Sequence, residues 1–202
     1  MKLFYSPNSP YARKCLVVAH ELGLRERIET LAANATPTRR DPDVAANNPL
    51  SKVPTLIADD GTVLYDSPVV AEYLNALGGG KLIPRDGPAR WNVLVEQALA
   101  DGMLDAAILA RYETALRPES LRWSDWRKGQ LDKVAAGLDE LERRAARFGE
   151  RVDLGTIALA CMLGYIDLRF ASLDWRKGRP NAAAWYDKFA ARESMVKTRP
   201  PG

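Results

Sequence analysis

Over the first 77 residues, short apolar runs alternate with helical spacings; beyond about residue 88 only helical spacings remain. Leu3-Phe4-Tyr5 predicts a strand. Tyr11, Cys15, Val18 and Leu22 recur at intervals of three to four, which predicts a helix over 10–22 with these residues on one face. Its ends are punctuated: Ser9 stands at the N-cap, Pro10 at the first helical position, and Gly23 just past the end. Ile28 to Leu31 predicts a second short strand. Residues 34–50 carry Pro37, Pro42 and Pro49 and predict irregular chain with room for one helical turn. Thr55–Ala58 and Thr62–Tyr65 flank Asp59-Asp60-Gly61, a hairpin signal. Ser67-Pro68 then open a helix with Val70, Leu74 and Leu77 inward, stopping at Gly78-Gly79-Gly80. The order β-α-β, irregular chain, β-β-α implies a mixed sheet with a right-handed crossover.

Past Leu82-Ile83-Pro84-Arg85-Asp86-Gly87-Pro88, helical patterns run over about 88–116, 124–147, 153–170 and 180–192. Leu131, Val134, Leu138, Leu141 and Ala145 mark the inward face of the second. The pattern from 153 is apolar nearly all round, as expected of a helix at the centre of a bundle. The change of period divides the chain into an α/β domain over 1–78, a link over 79–88 and an all-α helical-bundle domain over 89–202.

Composition narrows the function. The chain's 202 residues, 47% hydrophobic and 27% charged, can fill two small cores. Its 29 basic and 26 acidic side chains are spread evenly, so no nucleic-acid footprint is expected. The first residues have too short an apolar run for a signal peptide, and Ile157 to Ile166 is about half the length of a membrane span. Cys15 and Cys161 form no C-x-x-C pair or metal-ligand spacing, and His20 is the single histidine. A Ser-His-Asp hydrolase or a histidine-rich metal site lacks its residues here. A cytoplasmic protein with no metal, no nucleic-acid partner and no membrane partner is expected.

Three segments of the first half could carry chemistry. Tyr5-Ser6-Pro7-Asn8-Ser9-Pro10-Tyr11-Ala12-Arg13-Lys14 runs from a strand through a tight loop into a helix N-terminus, where free N–H groups and a partial positive charge favour an anion. Asn48-Pro49-Leu50-Ser51-Lys52-Val53-Pro54-Thr55-Leu56 puts a proline before a strand. A cis bond there would expose the Val53 main chain to an extended peptide. Tyr65-Asp66-Ser67-Pro68 again leads a strand into a helix, with Asp66 placed for an ammonium and Ser67 for a carboxylate. Taken singly, each is also an ordinary helix cap or turn.

Taken together, Ser9-Pro10-Tyr11-Ala12-Arg13-Lys14, Lys52-Val53-Pro54-Thr55-Leu56 and Asp66-Ser67 resemble the signatures of the thioredoxin-like domain of bacterial, serine-type cytosolic glutathione transferases. The second half, with Gln97–Asp105 and Ile157–Asp167, is similar to that family's helical domain. The resemblance implies a thioredoxin-like N-terminal domain plus an all-α C-terminal domain, with glutathione as co-substrate and no metal. It also implies a homodimer active in detoxification. Ser9 takes the place of the serine that hydrogen-bonds the glutathione sulfur, with Ser6 the runner-up. Val53 corresponds to the residue pairing with the cysteinyl unit, and Asp66 and Ser67 to those holding the γ-glutamyl end. Lys52 is placed for the glycine carboxylate, with Arg39 or Arg40 as helpers, and Asp101 matches loosely an acidic residue that reaches a neighbouring subunit. Leu104, Ile108, Arg111 and Tyr112 share one side of a helix and are the expected pocket for a small hydrophobic electrophile, although the aliphatic pair fits bundle packing equally well. Cys15, on the inward face, is expected to be structural. At the start of the third helix of the second half, Asp153 and Thr156 reverse the family's usual cap order.

A thiol of pKa ~8.5 is only ~3% ionised at pH 7, and lowering it by about two units raises that to roughly 75%. Nucleophilicity falls with pKa, so the net gain is only about three-fold. Orientation by the second domain must therefore supply more. The alternatives to conjugation are a glutathione-dependent isomerase of the maleylacetoacetate isomerase type and a non-catalytic interaction module with the same fold.

Overall fold

The computed structural model describes residues 1–201. They divide into two compact units: Met1–Val93 joined by residues 192–201, and Leu94–Ala191.

In the first unit, β1 (Lys2–Tyr5), β2 (Glu29–Ala32), β3 (Thr55–Ile57) and β4 (Val63–Leu64) form one sheet of order β2-β1-β3-β4. β1 and β2 are parallel, with Lys2 opposite Glu29 and Tyr5 opposite Ala32. β3 runs antiparallel to both β1 and β4. The β3–β4 hairpin closes where predicted: Gly61 takes φ 84°, open to glycine, and the Asp60 carboxylate accepts the Thr62 N–H at 2.9 Å.

Helix α1 (Pro10–Glu21) starts and stops at the predicted punctuation, but its burial is wider than one face. Ala12, Arg13, Cys15, Leu16, Val17, Val18 and Ala19 are all buried. Two elements cover it: α3 (Ser67–Leu77) and the short α8 (Glu193–Lys197). The helical pattern of the second half assigned residues 192–202 to the helical domain; instead, residues 192–201 pack on α1. The cause is polar. Arg192 donates two hydrogen bonds to the Glu21 carboxylate at 3.0 and 2.9 Å, Ser194 donates a third, and the Arg13 guanidinium donates to the Met195 carbonyl at 3.1 Å.

Within α3, Val70, Ala71 and Leu74 are buried, whereas Leu77, expected inward, is exposed. Asn75 turns inward instead and accepts the Leu82 N–H at 2.8 Å, stitching down the chain that leaves the helix. Just past α3, a Cβ on Gly78 would lie 2.8 Å from the Leu22 Cβ, so the approach to the end of α1 requires glycine. The irregular stretch contains α2 (Pro42–Asn47), capped by the Asp41 carboxylate on the Asp43 and Val44 N–H groups.

Helix α4 (Gly87–Ala115) leads out of the first unit into the second, which also holds α5 (Ser124–Ala145), α6 (Leu154–Arg169) and α7 (Pro180–Ala190). α6 is buried from Leu154 through Leu163, as its all-round apolar pattern predicted. Asp153 and Thr156 complete a reciprocal capping box at its start. Val134, Leu138 and Leu141 of α5 are buried, and Phe148, Trp185 and Phe189 stack edge-on or tilted nearby.

Candidate glutathione-binding site

The sheet register gathers the three segments at one end. Phe4 lies opposite Thr55 and Leu56 opposite Leu64, so the C-terminal ends of β1 and β4 meet the N-terminal end of β3. The chain leaving β1 supplies Ser6 to Ser9, the chain entering β3 supplies Lys52 and Val53, and the chain leaving β4 supplies Asp66 and Ser67. α1 and α3 therefore begin at this same end and point their free N–H groups toward it.

Ser9 is the α1 N-cap, in extended conformation, with its hydroxyl oxygen accepting the Ala12 N–H at 3.3 Å. That bond uses an acceptor position and leaves the hydroxyl proton able to donate. Ser6 is placed differently. Its carbonyl accepts the Ser9 N–H at 2.9 Å, and the residue lines a separate cavity beside Arg13 and Thr198.

The turn into β3 is built around buried Asn48, whose side chain donates to the Lys52 carbonyl at 3.2 Å and to the Thr55 hydroxyl at 3.0 Å, and accepts the Leu50 N–H. Ser51, at φ 51°, ties this turn to Asp41. The Val53–Pro54 peptide is cis, and the Val53 N–H and C=O make no hydrogen bond among the described residues. Lys52 is exposed, with its ammonium in no ion pair among the described residues. Arg39 and Arg40 donate to the Asn34 and Pro49 carbonyls and so brace the loop.

At the start of α3, the Tyr65–Asp66 peptide is also cis, a feature without any signal in the residue pattern. Asp66 occupies the N-cap, but its carboxylate does not bond the helix. It is exposed and engages no group among the described residues. Ser67 is buried, and its hydroxyl likewise makes no hydrogen bond there; its carbonyl accepts from the Cys15 thiol at 3.7 Å. Cys15 is fully buried.

The remaining candidates lie on α4 in the second unit. Leu104 is buried, whereas Ile108, Arg111 and Tyr112 are half-buried. The Tyr165 hydroxyl is pushed up to about 12 by burial, a rise opposed by the nearby Arg111 charge. The Arg111 guanidinium has no ion pair or hydrogen bond among the described residues. Asp101 is half-buried on the same helix. Among the described residues no cluster of histidine, cysteine or carboxylate side chains could hold a metal ion, and no helix is long and apolar enough to cross a membrane.

Comparison with known proteins decides the family. Residues 8–77 match the glutathione S-transferase N-terminal domain, and residues 124–188 match the glutathione S-transferase C-terminal domain. The chain belongs to the glutathione S-transferase family. This family member is 35% identical over 206 residues to the uncharacterized GST-like protein YibF of Escherichia coli, covering 100% of the chain and 99% of the relative. A glutathione transferase family member from Pseudomonas fluorescens Pf-5, crystallised with bound glutathione, matches with TM-score 0.97 and 45% identity over 100% of this chain and 99% of that one. A glutathione S-transferase from Methylobacillus flagellatus, also with glutathione bound, matches with TM-score 0.90 and 41% identity over 99% of each chain. The present transferase-family chain thus has the thioredoxin-like plus all-helical fold of its relatives.

Proposed function

We propose that this protein binds glutathione at the sheet end formed by Ser9, Val53, Asp66 and Ser67 and activates its thiol for attack on a small hydrophobic electrophile. The observation that carries this reading is a set of unused polar groups in one place. The Val53 main chain, the Ser67 hydroxyl and the Asp66 carboxylate all lack partners among the described residues, although neighbouring polar groups are bonded. An extended peptide with a free α-amino acid at one end satisfies all three. Its main chain pairs with Val53, its ammonium faces Asp66, and its carboxylate meets Ser67 and the α3 N–H groups. Lys52 is near enough in sequence to answer the second carboxylate. Ser9, its hydroxyl proton directed to the sulfur, favours the thiolate over the thiol. Arg111, Tyr112 and Ile108, with Leu104 behind them, are assigned to the electrophile. The relatives crystallised with glutathione support the choice of tripeptide. A cytoplasmic homodimer belongs to the same proposal and is checked by sedimentation of the purified protein.

Titration calorimetry with glutathione tests binding. Saturable binding is expected, with Asp66→Ala weakening it at least tenfold, a typical cost for losing a charge-assisted contact. Ser9→Ala should lower turnover of an aryl halide by about tenfold or more while leaving affinity within about threefold. Absence of glutathione binding would overturn the proposal and favour a non-catalytic interaction module.

A further inference from the structure

A cavity in the first unit, of about 360 Å³, is lined by Arg13, Arg25, Lys197 and Arg199 together with Ser6 and Thr30 and, among the described residues, by no acidic side chain. We infer that it binds the phosphate group of a small phosphorylated molecule.

Arg13 is the anchor of the argument. The residue is only 7% exposed, yet among the described residues its guanidinium pairs with no carboxylate; it donates to the Met195 carbonyl at 3.1 Å and to the Thr198 hydroxyl at 3.5 Å. A buried cation with two neutral partners retains most of its field and still has donors to give, since guanidinium carries five N–H groups. Arg25 uses one nitrogen on the Ile28 carbonyl at 2.7 Å, and Lys197 pairs with Glu193 at 2.6 Å on the outer side. Arg199 has no side-chain partner among the described residues. Four cations thus line one space; among the described residues the carboxylates acting on Lys197 are Glu193, which pairs with it, and Glu26, and neither lines the cavity. The Ser6 and Thr30 hydroxyls, unbonded among the described residues, supply neutral donors from β1's exit and from β2.

Charge and shape select the ligand. A phosphate monoester carries close to two negative charges at neutral pH and presents three acceptor oxygens, matching donors that arrive from several sides. A planar monoanionic carboxylate satisfies fewer of them. The volume falls in the range of small-molecule sites and leaves room for an organic portion beyond the phosphate. The inference stands apart from glutathione binding, because none of the groups assigned to the tripeptide lines this cavity.

Phosphorus NMR and calorimetry with inorganic phosphate and with glycerol phosphate, at constant ionic strength set by chloride, test it on the full chain. Saturable binding is expected, with acetate at least tenfold weaker. Arg13→Gln should weaken phosphate by roughly tenfold. Because Arg13 also holds residues 192–201, the Lys197→Ser/Arg199→Ser double variant provides a second reading on exposed positions, expected to weaken binding about fivefold or more without changing the circular dichroism. Three results would overturn the proposal: no saturable phosphate binding, acetate binding as tight as phosphate, or binding untouched by both cavity variants but lost in Ser9→Ala/Ser67→Ala.

Discussion

Asp153→Ala removes the carboxylate that opens the most buried helix of the second unit. In the folded protein its Oδ1 accepts the Thr156 N–H at 2.9 Å, while Thr156 Oγ1 accepts the Asp153 N–H at 3.0 Å. Thr156 is fully buried, so its N–H cannot turn to water once the carboxylate is gone. Losing a cap costs about 0.5–2 kcal/mol, and a buried N–H left unpaired costs about 1–3 kcal/mol. These describe the same bond and are not summed. The Arg151 contact at 2.7 Å adds only a few tenths of a kcal/mol, because that side chain is more than a third exposed and solvent screens the pair. The expected loss is about 2 kcal/mol, or a fall in Tm of about 4–8 °C for a chain of this size. Thr156→Val abolishes the return bond together with the hydroxyl's own donation to the Asp153 carbonyl at 3.0 Å or carboxylate at 3.2 Å, and should cost about 1 kcal/mol. Urea unfolding followed by circular dichroism measures each, and the double variant should fall short of additivity by about 1 kcal/mol, since the two bonds share one motif. A loss below about 0.5 kcal/mol for Asp153→Ala, or full additivity, would refute the reasoning.

Two further outcomes concern buried carboxylates. Burial raises the pKa of Glu96 despite its hydrogen-bonded pairing with Arg151, so its ionised form disfavours the fold. The stability lost as pH rises through that raised pKa should be recovered by Glu96→Gln at pH 7, giving a Tm equal to or above the parent. The difference should vanish below the carboxylate range, and a clear loss of Tm at pH 7 would count against this. For Glu21, burial pushes the pKa up, but hydrogen bonds from Arg192 and Ser194 outweigh it and hold the value low. Its stabilising effect is present above the ordinary carboxylate pKa and disappears as pH falls through the lowered one. Residues 192–201 should therefore gain amide-exchange rate, relative to β1, in that acid window; unchanged protection there would contradict the anchoring.

Much of this molecule can be read from local spacing, and the exceptions share a cause. Ser9-Pro10, Asp66-Ser67-Pro68 and the Asp59-Asp60-Gly61 hairpin announce themselves, because caps and turns are decided by a few adjacent residues. A cis bond would open the Val53–Pro54 turn, and the bond is cis. By contrast, Asn48 organises that turn through contacts with residues up to seven positions away, which local spacing does not register. Arg13 is not among the residues that mark the inward face of its helix, yet it is buried because residues more than 180 positions later fold over it. Leu77 exchanges places with Asn75 for a similar reason: the partner of Asn75 is the main chain of Leu82, which periodicity does not register. That the Ser67 hydroxyl has no partner among the described residues is likewise a property of three dimensions. The proline-rich stretch over 34–50 has room for one helical turn, and α2 fills it behind the Asp41 cap.

The return of residues 192–201 to α1 makes the first unit discontinuous along the chain. During synthesis the sheet and its two flanking helices emerge early, yet the strand of chain that shields Arg13 and pairs with Glu21 is translated only after the whole of Leu94–Ala191. The nascent unit must therefore wait, half clothed, with a guanidinium and a carboxylate open to water, and is completed last although it is begun first. A fragment ending near Val93 inherits that incomplete state permanently.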